Sequence, residues 1–303
     1  MTNHPPDPVE SSRKPDWLKV KFPSQAEYFA VSALLRKHGL HTICRSAQCP
    51  NRTECWSEKT ATFLILGDVC TRNCAFCAVA KGTPAPPSPG EPVQVAEAAA
   101  ALGLRYVVVT SVTRDDLADG GAAQFAATIG ALRARIPGVL VETLVPDFQG
   151  AAEPLALILR AGPDILNHNL ETVESFYPRI GRPSANYRRS LGVLRRAKAM
   201  GAATKSGLMI GLGETEEELG TALRDLRAAG CDLLTIGQYL RPTRSHAPVA
   251  RYYTPDEFRR WRGEALLLGF RDAETGPLVR SSFHAHKLFA ALAGAAQDSP
   301  CAT

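Results

Sequence analysis

Short, nearly continuous apolar runs recur along the chain, spaced so that one helix fits between each and the next. They are Thr62–Leu66, Arg105–Val112, Val139–Val145, Asp164–Leu170, Thr204–Leu212 and Leu233–Leu240. Runs of this length without alternation read as strands covered on both faces. The stretches between them carry helical signals. Gly121–Ile136 is alanine-rich, Glu153–Ala161 follows the third run, and Tyr187–Met200 is preceded by Asn186 as a candidate N-cap. A further helix starts at Thr215 with Glu218 in capping-box spacing and shows Leu219, Leu223 and Leu226 as its apolar stripe. The last opens on Thr254, Pro255 and Glu257. Ahead of the first strand, Gln25–Lys37 reads as a helix. The prolines of Gly82–Pro92 mark a connector without regular structure.

Strands alternating with helices predict a parallel sheet covered by helices, either doubly wound or a (β/α) barrel, complete or partial. No Gly-x-Gly-x-x-Gly follows the first strand, which weighs against a dinucleotide-binding sheet. In barrels the working residues stand where strands end. Polar residues collect at those ends: three cysteines after the first strand, Thr110-Ser111 on the second, Asn167-His168-Asn169 on the fourth and the Gly211–Glu214 turn on the fifth.

Composition narrows the function classes. With 303 residues, 45% of them apolar, the chain can bury one core of barrel size or two smaller ones. The formal charge of +5 is spread out, with no basic stripe interleaved with aromatics. That disfavours nucleic acid and leaves an acidic protein or an anionic small molecule as a match. No apolar run approaches membrane-spanning length, and Met1–Pro15 has neither a signal core nor an Arg-rich amphipathic stretch. The expected setting is therefore cytosolic, with residues 1–15 and 294–303 as loose ends. In that compartment clustered cysteines bind metal or do chemistry.

Six of the eight cysteines fall between Cys44 and Cys77, in two sets of three. Cys44-x4-Cys49-x5-Cys55 lies in a polar, proline-containing stretch that reads as loop. Cys70-x3-Cys74-x2-Cys77 follows the first strand directly. Thiolates are soft ligands that select zinc, copper(I) or iron–sulfur centres. A structural zinc site or a fully ligated [4Fe–4S] cluster wants four protein ligands, and each set stops at three. A four-iron cluster on three cysteines leaves one iron open to chelation by a small molecule. The plain alternative is two zinc or structural iron sites. Cys231 reads as a small buried hydrophobe and Cys301 as an idle thiol in the tail.

Cys-x3-Cys-x2-Cys after a first strand, with Gly207-Leu208-Met209-Ile210-Gly211-Leu212-Gly213-Glu214 on the fifth, resembles the radical S-adenosylmethionine superfamily. Within it, Cys44, Cys49 and Cys55 together with Arg280-Ser281-Ser282 resemble the motifs of the lipoyl synthase family, over a span from about Lys14 to His286. The resemblance implies a partial (β/α)6 TIM-like barrel. Its expected parts are a tail (1–15), an N-terminal extension (16–60), the barrel (61–270) and a C-terminal extension (271–303). Cys70, Cys74 and Cys77 would hold a [4Fe–4S] cluster that binds and cleaves S-adenosylmethionine. Cys44, Cys49, Cys55 and the oxygen of Ser282, in preference to Ser281, would hold an auxiliary [4Fe–4S] cluster that gives up its sulfur.

The implied reaction inserts two sulfur atoms, at C6 and C8, into an octanoyl group linked to a carrier protein. The implied carriers are the lipoyl domains of 2-oxoacid dehydrogenases and the glycine-cleavage H protein. A low-potential donor such as ferredoxin or flavodoxin would supply electrons, with no nucleic acid or membrane involved. Thr110, Ser111, Asn169, Glu171, Lys205 and Gly211 are the candidate contacts to S-adenosylmethionine; for Lys205 a strand-end salt bridge is an equal alternative. His168 reads as a satisfied histidine and not as a base. Arg114-Asp115-Asp116-Leu117 reads as a charged loop closing over the site or as a helix start.

The chain departs from the superfamily's Gly-Gly-Glu at Thr110-Ser111-Val112, and from the family's tyrosine at Phe283. Rival readings are another two-cluster radical enzyme, biotin-synthase-like or methylthiolating, and a two-cluster electron carrier that needs no open iron.

Overall fold

The computed structural model describes residues 14–20, 25–57 and 61–289. The expected tails at 1–15 and 294–303, with Cys301, lie largely or wholly outside them. In chain order the strands are β1 (His41–Thr42), β2 (Thr62–Ile65), β3 (Val69–Cys70), β4 (Ala80–Lys81), β5 (Tyr106–Ser111), β6 (Leu140–Leu144), β7 (Ile165–Asn167), β8 (Thr204–Ile210), β9 (Leu233–Gln238) and β10 (Asp272–Gly276). The helices are α1 (Gln25–Lys37), α2 (Ile43–Ser46), α3 (Arg52–Ser57), α4 (Glu91–Ala101), α5 (Ala122–Arg135), α6 (Ala152–Arg160), α7 (Ala185–Ala199), α8 (Glu216–Ala228) and α9 (Pro255–Leu267).

Eight strands form one sheet in the order β1-β2-β5-β6-β7-β8-β9-β10. Only β1 runs antiparallel to its neighbour. The edges β1 and β10 are not joined, so the barrel is open, as a partial (β/α) barrel requires. β3 and β4 pair separately and frame the second cysteine set.

The structure corrects the sequence reading at four places. A seventh parallel strand, β10, pairs with β9; its Asp-Ala-Glu-Thr-Gly sequence buries only Ala273 and so shows no apolar run. Helix α4 begins inside the supposed connector, because Pro92 falls in the first turn, where a missing N–H costs nothing. Cys44 and Cys55 sit on short helices, α2 and α3, and not in loop. Asn186 is the second residue of α7 and is buried there, so it does not cap the helix. Both predicted capping boxes, Thr215 with Glu218 and Thr254 with Glu257, are present.

Side chains alternate across each strand. Val107, Val109, Val141 and Leu166 face outward into a core shared with α4, α5 and α6. Leu208, Ile210, Leu234 and Ile236 do the same against α7, α8 and α9. Their neighbours along each strand therefore face the barrel interior, which is layered. Ile165 and Leu233 meet Leu288 from the C-terminal segment at the bottom, and Phe289 packs on Tyr106 with centroids 5.9 Å apart. Above them Lys205 Nζ lies 3.0 Å from Glu142 Oε1, both side chains fully buried. Tyr106 donates to Glu142 Oε2 at 2.6 Å and Asn167 to Oε1 at 2.8 Å. Four polar groups thus neutralise one another where no water reaches.

Removing one partner of such a pair strands a buried charge. Lys205→Met is expected to cost about 3 kcal/mol. A denaturant titration checks it: the midpoint should fall at unchanged slope, and Glu142→Gln added to Lys205→Met should recover part of the loss. Among the described residues no helix is long and apolar enough to cross a membrane.

Candidate functional site

At the C-terminal ends of the strands lies a cavity of roughly 450 Å³. Cys44, Cys49 and Cys55 line it, and so does Cys77. Thr110, Ser111, Asn169, Glu171 and Ser282 line it too, whereas Lys205 and Gly211 do not. Lys205 is spent on Glu142, one layer below. Gly211 serves the turn: at φ +106° an added Cβ would stand 2.1 Å from Gln238 Nε2. The amides of Gly211, Leu212 and Gly213 all donate to the Glu214 carboxylate, which also accepts from Tyr253. That carboxylate is the turn's internal anchor.

The loop bearing Cys70, Cys74 and Cys77 is held from three directions. Thr71 N and Oγ1 both donate to Thr113 O, and Asp115 N donates back to Thr71 Oγ1. Arg72 makes a two-point contact with Asp115 (2.7 and 2.9 Å) and reaches Asp147 Oδ1 at 2.6 Å. Burial alone would raise the Asp147 carboxyl; hydrogen bonding and charge from Arg72 hold it down at about 2. Ala75 N donates to Ile180 O on the far side. The Arg114–Leu117 segment is a clamp on this loop. Arg114, 2% exposed, links Leu66 O at the end of β2 to Asp116.

Cys74 is buried, and its sulfur accepts from Arg182 Nε at 3.3 Å. Arg182 also lies over Phe76, 5.5 Å from the centroid, and 3.9 Å from Glu171. Glu171 has φ +72°, a left-handed backbone unusual for a residue with a side chain. The strained residue is fixed by Glu171 N donating to Gly207 O and Met209 N donating to Glu171 O. Burial pushes the Cys77 thiol up to about 11, with Cys74, Glu171 and Cys70 adding to the effect. A bound metal reverses that balance, since thiols bind metal as thiolates and release their protons.

The other triple is carried by α2, the turn after it and α3. Trp56 on α3 stacks on Tyr28 of α1 with centroids 5.0 Å apart, which fixes Cys55 against the N-terminal helix. Burial raises the Cys49 thiol, opposed by the charge of Arg280 and then of Arg52. Asn51 Nδ2 donates to Leu278 O at 2.6 Å, tying this loop to the C-terminal segment. That segment lies directly on the sheet. A Cβ at Gly237 would stand 2.1 Å from Val279 O, so only glycine lets it approach. Phe283 lines the cavity and stacks on His284 at 3.9 Å.

His168 Nδ1 donates to Val145 O at 2.8 Å, which leaves Nε2 as a lone-pair acceptor with no partner. Burial lowers this imidazole to about 4, so it is neutral near pH 7. Ser111 Oγ is likewise buried without a partner. Two unpaired polar atoms beside a cavity point to a polar occupant.

Among the described residues no group of three His, Cys, Asp or Glu side chains could hold a single metal ion, and no disulfide joins the seven described cysteines. A cube of four irons takes its ligands from farther apart than one ion does. Two cysteine triples, with Arg182 at Cys74 and Arg280 near Cys49, suit such clusters, whose sulfurs and thiolates carry negative charge. Arg72, Asp147 and Arg182 were not legible beforehand, because single charges in turns carry no periodic signal.

Residues 64–226 match the model of the radical SAM superfamily. The chain is 57% identical over 275 residues to the lipoyl synthase of Chlorobaculum parvum, covering 90% of this chain and 94% of that protein. It is 53% identical over 287 residues to the lipoyl synthase of Thermus thermophilus, covering 94% and 88%. Among solved structures, the FeFe-hydrogenase maturase HydG from Carboxydothermus hydrogenoformans superposes with a TM-score of 0.55 at 13% identity, covering 87% of this chain and 69% of that one. That likeness bears on the fold alone.

Proposed function

Since the chain belongs to the radical SAM superfamily and, within it, to the lipoyl synthase family, we propose that Cys70, Cys74 and Cys77 hold its S-adenosylmethionine-binding cluster and that Cys44, Cys49, Cys55 and Ser282 hold its auxiliary cluster. The activity is that of a sulfurtransferase, converting octanoyl groups on carrier proteins into lipoyl groups with S-adenosylmethionine and two [4Fe–4S] clusters. When bound, the first cluster supplies the electron that splits the sulfonium into methionine and a 5′-deoxyadenosyl radical, and the second supplies sulfur for C6 and C8.

The protein's own residues hold, orient and exclude. The Arg72–Asp115–Asp147 contacts fix the loop of the first triple against the ends of β5 and β6. Asn169 and Glu171 face the ribose hydroxyls, with the strained Glu171 backbone aiming its carboxylate inward. Arg182, 17% exposed beside Cys74, offers a cation to the nucleotide's carboxylate. Ser111 and His168 Nε2 offer the remaining polar contacts. Leu144, Met209 and Leu240 give the cavity an apolar wall for the octanoyl chain and would keep water from the radical. The serine oxygen of Ser282 is a hard ligand for a sulfide-bridged iron, suited to a cluster that must come apart.

The carriers are the lipoyl domains of 2-oxoacid dehydrogenases and the glycine-cleavage H protein, the donor is a ferredoxin or flavodoxin, and the setting is cytoplasmic. One observation carries this reading: a single cavity is lined by Cys44, Cys49 and Cys55, by Cys77, and by the strand-end polar groups. Clusters held by these residues would then face the same enclosed space. Anaerobic iron and sulfide counting with Mössbauer spectroscopy tests it. Two four-iron clusters give about eight irons per chain, whereas zinc, or iron for only one cluster in a fully loaded preparation, defeats the assignment.

A further inference from the structure

A row of polar contacts leads from the C-terminal segment to the first cysteine triple. The Ser281 hydroxyl donates to Asn169 Oδ1 at 2.9 Å. Beyond Asn169 stands Glu171, then Arg182 at 3.9 Å, whose Nε donates to Cys74 Sγ at 3.3 Å. Burial pushes the Glu171 carboxyl up, while Arg182 and the Asn169 amide work against that and favour the carboxylate. With Asn169 Oδ1 accepting from Ser281, the amide nitrogen Nδ2 is the group left to face Glu171.

The backbone is shaped around this contact. A Cβ on Gly207 would stand 2.8 Å from Asn169 Oδ1, 2.8 Å from Thr235 Oγ1 and 2.9 Å from Ser281 Oγ. Strand β8 therefore carries glycine where the serine and the asparagine close over it. The same segment is seated by Gly237 beneath Val279 and by Asn51 on Leu278 O.

We propose that Ser281 is a positioning residue for S-adenosylmethionine: it holds the Asn169 amide in the orientation that lines up Asn169, Glu171 and Arg182 along the wall beside Cys74. The two adjacent serines then have separate duties, Ser282 toward the auxiliary cluster and Ser281 toward the nucleotide. The nucleotide pocket is complete only when the segment that brings the auxiliary ligand is in place. This rests on the reading of Asn169 and Glu171 as nucleotide contacts.

The test is S-adenosylmethionine affinity, measured on reduced, fully loaded protein from the change in the cluster's electron paramagnetic resonance signal, together with iron content. Ser281→Ala should keep the iron and sulfide of both clusters and weaken S-adenosylmethionine by about tenfold, the scale of one lost hydrogen bond in an enclosed site. Asn169→Ala should weaken it at least as much. Adding Ser281→Ala to Asn169→Ala should cost nothing further, because the serine acts through the asparagine. Unchanged affinity in Ser281→Ala, loss of auxiliary iron in that variant, or additive losses in the double variant would each overturn the proposal. Should Asn169→Ala bind as tightly as the parent, the nucleotide reading itself is wrong. A loss in Asn169→Ala with none in Ser281→Ala removes only the positioning role.

Discussion

Alanine at any one of Cys70, Cys74 or Cys77 is expected to abolish formation of 5′-deoxyadenosine from S-adenosylmethionine under anaerobic reducing conditions. The three sulfurs lie on one loop that is clamped by Thr71 to Thr113 O and by Arg72 to Asp115 and Asp147, which limits how far it can shift to bring in another ligand. Cleaving a sulfonium needs a potential at the low end of the roughly −700 to +450 mV that protein clusters span, which leaves little tolerance for altered ligation. Losing even an indirect partner of a metal site costs roughly 10–100-fold, so losing a ligand should exceed about a hundredfold. Chromatographic quantitation of 5′-deoxyadenosine checks this, and persistent cleavage in any of the three variants would remove that residue from the role.

Cys49→Ala separates the two halves of the reaction. Cleavage of S-adenosylmethionine should continue, since the first loop is held by Thr113, Asp115, Asp147, Ile180, Arg182 and Ala247. Sulfur in the product should disappear, and iron should fall from about eight to about four per chain. Mass spectrometry of an octanoyl-lysine peptide substrate reads the sulfur directly. Sulfur incorporation at the parent level in this variant would contradict the assignment of Cys44, Cys49 and Cys55 to the auxiliary cluster. The residual fold should hold, because Asn51 still anchors the loop to Leu278 O and Trp56 still stacks on Tyr28.

Most of the barrel could be read from the chain because its strands are apolar on both faces, and two of its helices announce themselves with Thr-x-x-Glu boxes. β10 escaped because an edge strand needs only one buried residue, Ala273, to join the sheet. α4 escaped because Pro92 looks like a breaker until it is known to occupy the first turn. The cysteines were legible as candidates because their spacing is itself the chemistry. Lys205 shows what spacing leaves open: a cofactor contact and a salt bridge are equal readings, and its place as the second residue of β8 puts it one layer below the cavity, against Glu142. Neither Gly207 nor Gly237 could be understood from the sequence, since what each makes room for lies 28 to 74 residues away.

The contact between Asn51 and Leu278 spans 227 positions of the chain. At about 5–20 residues per second, a ribosome takes roughly 11 to 45 s to travel that distance. For all of that interval Cys44, Cys49 and Cys55 have been made while Leu278 and Ser282 have not. With Ser282 as the fourth ligand, as proposed, that pocket is complete only on the finished polypeptide. A message cut short just before codon 278 is expected to leave the Cys70–Cys77 loop its contacts to Thr113, Asp115 and Asp147 while removing both the Asn51 anchor and the proposed serine ligand.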